Sequence, residues 1–339
     1  MGITLNYVVK RIVFSTAIVL GISIITYVFI YLAPGDPAYV WAGRPRGPLA
    51  SEAIAKARVE LGLDQPIYVQ FSLHVFRFFS GNWGLSIRFK QSVFSLVMRN
   101  FASTLELLLV SFTISIPIGL LLGIYSSLYR GSRIDAAINS LSIVLSNTPR
   151  FWIGLAMLLA FTSLNIPTYG RISDNFRGEL IERIGLYLVD SLLQGRLDIF
   201  LDVFIRIIPP ALALSLYPIG AIARVTRISL SEALQEEFVR EAVSLGLPRN
   251  IVVYGYALRG LIPSLVQAIG LFFSYSLIEA MAVEYVFGRE GLGNLLVKAI
   301  PANDFPLVTA ALVIVALVYV VTNTVADIVQ ALINPRVTM

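Results

Sequence analysis

The sequence has no cysteine and a single histidine, His74, among 339 residues. The first absence excludes disulfides, thiolate-bound zinc and thiol catalysis. The second rules out a His-rich metal site, and His74, with no second ligand beside it, reads as an ordinary packed or surface histidine. Charge is scarce as well: 14% of residues are Asp, Glu, Lys or Arg, against 57% hydrophobic, and the mean hydropathy is +0.78. One soluble core could not bury that much apolar surface, so the chain belongs in a lipid bilayer. The phosphate loop G-x-x-x-x-G-K-[ST] is also missing, and with it that route to binding ATP. No metal or cofactor is expected in the chain. The net charge of +5 fits Lys and Arg retained in cytoplasmic loops, and no nucleic-acid partner is expected.

What is present is a series of apolar runs. A spanning helix needs about 20 mostly apolar residues, because its backbone polar groups must be satisfied internally. Ile12–Ala33, Leu107–Tyr129, Leu261–Ile278 and Leu307–Ala326 meet that need without a charged residue. Ala136 to about Ile166 is long enough but carries the polar break "SNTPR" at Ser146–Arg150, and Ile207–Ala223 is short and begins at Pro209-Pro210. The expected fold is therefore an all-α integral membrane protein with six transmembrane helices. The first run follows Lys10-Arg11 but exceeds a signal-peptide core, so it reads as a retained helix. Lys10, Arg11, Arg130, Arg133, Arg224, Arg227, Arg240, Arg249, Arg259 and Arg336 fall on one side, which places both termini in the cytoplasm. Residues 1–33 form the N-terminal segment and first helix, 34–100 a large folded external loop between helices 1 and 2, and 101–339 the core with the other five helices. Two further external loops are expected, over Pro167–Arg206 and Glu284–Pro306.

The cytoplasmic stretch from about 229 to 260 contains "EEFVREAVSLGLPR" at Glu236–Arg249, with five charges in fourteen residues. Leu234, Phe238, Ala242 and Leu245 recur at helical spacing from Leu230 onward, which predicts an amphipathic helix. Glu236 and Arg240 are four apart and can pair. Gly246 is placed to end the helix in a left-handed conformation, and Pro248 to open a second helix leading into the next span. Periodicity alone leaves two readings open: a hairpin that covers the bundle, and one that receives a partner.

Spacing adds a resemblance. "REA" at Arg240–Ala242, three residues, Gly246, nine residues and "YALR" at Tyr256–Arg259 resemble the EAA loop of ATP-binding-cassette (ABC) importer permeases, with Arg240 at a Glu position, Glu241 at an Ala position and Arg259 at a Pro position. The variant is similar to the first permease subunit of dipeptide/oligopeptide importers. So are "LAPGDP" at Leu32–Pro37, "LGLDQPIYVQ" at Leu61–Gln70, "ARVTR" at Ala223–Arg227, "VEYVFGREGLG" at Val283–Gly293, "NDFP" at Asn303–Pro306 and "NPRV" at Asn334–Val337. Glu290 stands for a frequent Pro, Asn334 for Asp and Tyr256 for the usual His.

The resemblance implies a type I importer permease in a prokaryotic plasma membrane that forms half of a translocation pathway. Implied partners are a second, homologous permease, two ATPase subunits carrying ATP and Mg, an extracellular substrate-binding protein and the bilayer. It also implies that the hairpin docks in an ATPase cleft, with Gly246 permitting the turn, Ala242 a close approach, Leu247 and Pro248 continuing the contact, and Glu236, Glu237, Arg240, Glu241 and Arg249 forming a charged rim. Relatives carry oligosaccharides or nickel, so the substrate class stays open. Ser146, Asn147, Thr148, Arg150 and Glu279 are candidate pathway-lining groups, with helix packing as the alternative role. A secondary transporter would show paired broken helices and internal repeats, for which the sequence offers little beyond "SNTPR" and Glu279. A scaffold would need fewer polar residues within its spans.

Overall fold

A computed structural model describes residues 36–333 apart from residue 44, together with residues 9, 13–14, 16–18, 20–25 and 28. The expected first span lies largely outside the described residues, as do the "NPRV" stretch and the side chain of His74. The described residues form helices and loops, joined by one isolated bridge between Leu85 and Ser92.

The described residues between 9 and 28 are helical, and three short helices follow them: α1 (Pro37–Trp41), α2 (Ala50–Leu61) and α3 (Ile67–Phe79). There follow α4 (Val93–Leu128), α5 (Arg133–Asn147), α6 (Arg150–Ser163), α7 (Tyr187–Leu193), α8 (Leu197–Ala233), α9 (Glu237–Ser244), α10 (Leu258–Val286), α11 (Leu292–Ala299) and α12 (Phe305–Ile333). A π-helical segment, Ile251–Ala257, runs directly into α10. Four of these helices are long and apolar enough to cross a bilayer: α4, α8, α12, and α10 taken with its π segment. The pair α5 and α6 makes a fifth if counted as one bent span.

The spans run past their expected limits. Helices α4 and α8 have 36 and 37 residues, or about 55 Å at 1.5 Å per residue, well beyond a hydrocarbon core of about 30 Å. Stretches expected as loop, Val93–Asn100 and Leu197–Arg206, are the first turns of these helices. Their charged residues are paired: Arg99 with Glu182 at 2.7 Å and Arg206 with Asp202 at 3.0 Å. The prolines Pro209, Pro210 and Pro218 lie inside α8 without ending it, as membrane helices tolerate when neighbours satisfy the freed carbonyls.

The break at "SNTPR" has a local cause. Pro149 disfavours helical backbone at the residue before it, and Thr148 is extended, with φ −74° and ψ 131°. Helix α5 therefore stops, α6 starts at Arg150, and their axes differ by 99°. The start of α5 is fixed by Ser132, whose hydroxyl accepts the Asp135 N–H at 3.3 Å.

The most extensive packing is between α4 and α8, and it follows a stripe of small residues. Ser111, Ser115, Gly119, Gly123 and Ser127 recur every fourth position and are all buried. Ser115 donates to the Ser215 carbonyl at 3.2 Å, and the hydroxyls of Ser127 and Ser231 lie 3.0 Å apart. Between them the backbones close up: a Cβ on Gly119 would meet Ile222 at 2.8 Å, and one on Gly123 would meet Thr226 at 2.5 Å and the Ala223 carbonyl at 2.6 Å. Association in lipid relies on such close contact, because apolar surface alone gives no preference for a neighbour over lipid. Gly123→Leu should therefore overpack the seam and destabilise the protein by about 1–3 kcal/mol, seen as a lowered thermal midpoint in detergent. Leu121→Ala, at a position 57% exposed on the same helix, should change it little.

Candidate functional site: a terminal hairpin and a polar elbow

Two regions contain the candidate residues, and a third, buried, supports them. The hairpin begins where α8 ends. The expected continuous helix from Leu230 is broken over 234–236, where Glu236 takes an extended backbone (φ −66°, ψ 150°) before α9 starts. Glu236 and Arg240 meet through the Arg240 N–H and the Glu236 carbonyl at 3.1 Å rather than through a side-chain ion pair.

The buried face of α9 also differs from expectation. Val239 and Ala242 are 2% and 3% exposed and pack with Leu230, Val252, Ala257 and Leu261, whereas Phe238 and Leu245 are exposed, Phe238 with its ring tip toward Gly260. Ala242, expected to admit a partner, is thus spent on the chain's own core. Leu247 packs against the same core, while Glu236, Glu237, Arg240, Glu241, Pro248 and Arg249 are exposed. Beside these charges stand Phe238, Val243 and Leu245, exposed by 44%, 60% and 74%.

Gly246 does what its position promised. Its φ of +75° is left-handed, its N–H bonds the Val243 carbonyl, and the Leu247 N–H reaches back to Ala242. This is the double closure of a Schellman turn. The Arg249 guanidinium lies 3.5 Å from the Leu128 carbonyl, which puts the hairpin at the same end of the bundle as the α4–α5 turn.

That turn is held by Asp135. Its carboxylate receives a two-pronged contact from Arg227 at 2.6 and 2.8 Å, together with the Ser126 hydroxyl at 2.6 Å and the Gly131 N–H at 2.9 Å. Within "ARVTR", Ala223 and Thr226 thus serve the seam and Arg227 the clamp.

The elbow between α5 and α6 gathers the other candidates. Ser146, Asn147 and Thr148 bond the carbonyls four residues before them, at 2.7 Å each. Arg150, 5% exposed, donates to the carbonyls of Leu145 and Ser146 at 3.0 Å and so caps α5. Its guanidinium also lies 5.1 Å from the Tyr217 ring centre and 3.9 Å from Glu279, whose side chain is 37% exposed. The structure therefore brings Arg150, Glu279 and Tyr217 together, with Ser146, Asn147 and Thr148 on the adjoining helix end.

At the opposite end of the bundle is a buried charge cluster that the sequence pattern did not single out. Glu106 is 3% exposed, and its Oε2 accepts from Arg171 at 2.9 Å and from Arg289 at 2.8 Å. Its Oε1 accepts the Leu188 N–H at 2.7 Å. Arg171 also donates to the Gly185 carbonyl and lies over the Tyr187 ring at 3.5 Å. Burial pushes the Arg289 guanidinium down to about 10, with the Glu106 carboxylate acting the other way, so it keeps its charge at neutral pH.

Next to this cluster Glu284 accepts from the Thr104 hydroxyl at 2.5 Å and the Gly293 N–H at 2.8 Å. Asp304 accepts from the Ser86 hydroxyl at 2.5 Å and the Arg88 N–H at 3.1 Å, which ties the segment before α4 to the turn before α12. Glu284, Arg289 and Asp304 lie in "VEYVFGREGLG" and "NDFP", so these quoted motifs are fastenings of the structure. The partners of Glu106 stand 65 and 183 residues away in sequence, which hid the cluster from any local pattern.

The chain is thus a multi-span helical bundle with a polar elbow and a charged, apolar-tipped hairpin at one end. Residues 115–339 match the binding-protein-dependent transport system inner membrane component family, and residues 4–108 match the N-terminal region of such membrane components. The chain is 37% identical over 323 residues to the "Probable D,D-dipeptide transport system permease protein DdpB" of Escherichia coli K12, covering 94% of each chain. It is 33% identical to the di/tripeptide transport system permease protein DppB of Pseudomonas aeruginosa and 31% identical to the dipeptide transport system permease protein DppB of Escherichia coli K12, with 98% of each chain covered in both cases. The chain belongs to the family of binding-protein-dependent inner membrane components: it is a multi-pass membrane permease.

Removing the shared carboxylate would leave two guanidiniums buried without their counter-charge. Glu106→Gln should therefore destabilise the protein by about 3–5 kcal/mol, measured by thermal unfolding in detergent. Glu182→Gln, whose carboxylate meets the half-exposed Arg99, should cost less than about 1 kcal/mol.

Proposed function

We propose that this permease carries peptides inward and forms half of the pathway, with a second, similar permease chain forming the other half. In this reading six spans cross a prokaryotic plasma membrane. Both termini and the α9 hairpin are cytoplasmic, while the region before α4 and the Glu106 cluster face outward, where an extracellular binding protein delivers substrate. Two ATPase subunits, which hold ATP and Mg, dock at the hairpin. The peptide assignment takes its support from the substrates in the names of the relatives, which match along nearly the whole chain.

The observation that carries the coupling role is the two-sided hairpin. Val239 and Ala242 anchor it inward, while Phe238, Val243 and Leu245 stay exposed within a charged rim of Glu237, Arg240 and Glu241. Apolar residues held clear of the bilayer by charged neighbours suit a protein contact. The anchoring core includes Leu230 of α8 and Leu261 of α10, so movement imposed on α9 is passed to two spans. The π segment that follows is a second element of the hinge, since such wider turns recur at functional sites. Ser146, Asn147, Thr148, Arg150 and Glu279 are assigned to the pathway side of this chain, with Arg150 fixing the elbow and Glu279 presenting its carboxylate.

Gly246→Val tests the coupling. A Cβ there meets nothing within 4 Å, so the cost comes from φ alone and exceeds about 1 kcal/mol for a β-branched residue. The spans should still insert, while ATPase co-purification or the coupling of ATP hydrolysis to transport is lost. Glu241→Lys should weaken the same contact by reversing a rim charge. Wild-type uptake and ATPase co-purification in both variants would contradict the assignment.

A further inference from the structure

The apolar run of α4 ends at Tyr129, and two exposed arginines, Arg130 and Arg133, follow it at once. Neither guanidinium meets a carboxylate among the described residues. Other arginines near the ends of the long helices do: Arg99 faces Glu182, Arg206 faces Asp202 and Arg227 faces Asp135. Asp135 is the one acid in the α4–α5 turn, and Arg227 already neutralises it. The charges of Arg130 and Arg133 are therefore unopposed within the turn.

The turn itself is tightly built. Gly131 has a φ of +82° and gives its N–H to Asp135 at 2.9 Å, and the Ser132 N–H bonds the Tyr129 carbonyl at 3.0 Å. Arg130 and Arg133 are three residues apart, so their Cα atoms lie within about 11 Å even before the turn folds them closer. Arg249 brings a third cation from the hairpin: its guanidinium lies 3.5 Å from the carbonyl of Leu128, two residues before Arg130. That contact is long and occupies one Nη, so the exposed side chain keeps its other donors open. Tyr125 and Tyr129, with ring centres 6.4 Å apart, are exposed on the last turn of the same apolar run. Tyrosines exposed at the end of a span sit at headgroup level, with the ring in the apolar layer and the hydroxyl in the wet one. The depth of the three guanidiniums is thereby that of lipid phosphates.

We propose that Arg130, Arg133 and Arg249 form a site for the phosphate of an anionic phospholipid, bridging the α4–α5 turn and the hairpin. A guanidinium offers a phosphate paired N–H donors, and the bilayer surface supplies that anion beside the turn. A lipid suits the place better than an acidic protein surface, because the patch lies at the bilayer boundary. The exposed apolar side chains Phe238, Val243 and Leu245, and the acids Glu236, Glu237 and Glu241, belong to the limb before Gly246, whereas Arg249 follows it. Bound there, the lipid links the second limb of the hairpin to the start of α5. The site does not depend on what the transporter carries.

The test uses the assembled transporter in detergent, mixed with phosphatidylglycerol or with phosphatidylcholine and read by native mass spectrometry as the amount of each lipid retained. The wild type should retain phosphatidylglycerol in preference. Arg130→Gln, Arg133→Gln and Arg249→Gln should each lower that preference about fivefold, the effect of one cation near a lipid surface. All three side chains are exposed, so the variants should still assemble. Arg46→Gln, which removes an exposed arginine ahead of α2, should leave the preference as it is. Equal retention of the two lipids by the wild type, or an unchanged preference in the triple variant, would overturn the site. Complete displacement of the lipid by inorganic phosphate at no more than an equal concentration would assign the patch to free phosphate and overturn the lipid. Loss of the ATPase subunits from the variants, with lipid retention unchanged, would give the patch to the ATPase instead.

Discussion

Everything else in this permease is hung on the close contact between α4 and α8. In a bilayer, two apolar helices gain nothing by exchanging lipid for each other unless their backbones approach and their polar atoms pair. The four-residue repeat from Ser111 to Ser127 supplies both, with glycines at the centre and hydroxyls toward the ends. The seam covers about half of α4, from Ser111 near the Glu106 cluster to Ser127 at the end that holds the hairpin. The clamp of Arg227 on Asp135 then fixes α5 to this pair.

Polar groups are distributed by depth along that frame. At the Glu106 end, charges are buried and shared, so loops far apart in sequence are fastened to one carboxylate. At the hairpin end Asp135 is buried against Arg227, while the charges of the hairpin itself are solvated and apolar side chains stand among them. Between the two lies the elbow, where Pro149 breaks the span and Arg150 closes the exposed carbonyls of α5. Charges locked at one end, a polar break in the middle and an exposed element at the other are the division of labour a transporter needs if motion at one face is to change access at the other.

Much of this was legible in sequence, and the limits have physical causes. The apolar runs from Leu107 onward located the long apolar helices because a bilayer demands length and hydropathy, and "SNTPR" marked the elbow because Pro149 acts on its own neighbour. Gly246 was readable for the same reason. Helix ends were not, because Arg99 and Arg206 look like loop residues until Glu182 and Asp202 neutralise them. The inward face of α9 was misassigned, since the 3.6-residue period ranks Phe238 and Leu245 with Ala242, while tertiary packing selects Val239 and Ala242. The Glu106 cluster was invisible, being assembled from three distant segments. Among the motifs that carried the family resemblance, "VEYVFGREGLG" and most of "ARVTR" hold the structure together.

The central claim is that the outward side of α9 is the surface through which an ATPase acts on the spans. In a chain without cysteine, a photoactivatable cross-linker can be attached at a single introduced thiol, at Leu245→Cys on the exposed side or at Val239→Cys on the buried side, in the assembled transporter. The account predicts that the Leu245 position cross-links to an ATPase subunit with a yield that changes when nucleotide binds, and that the Val239 position yields only links within the permease. Absence of any ATPase adduct from Leu245 in every nucleotide state, with the complex intact, would contradict it.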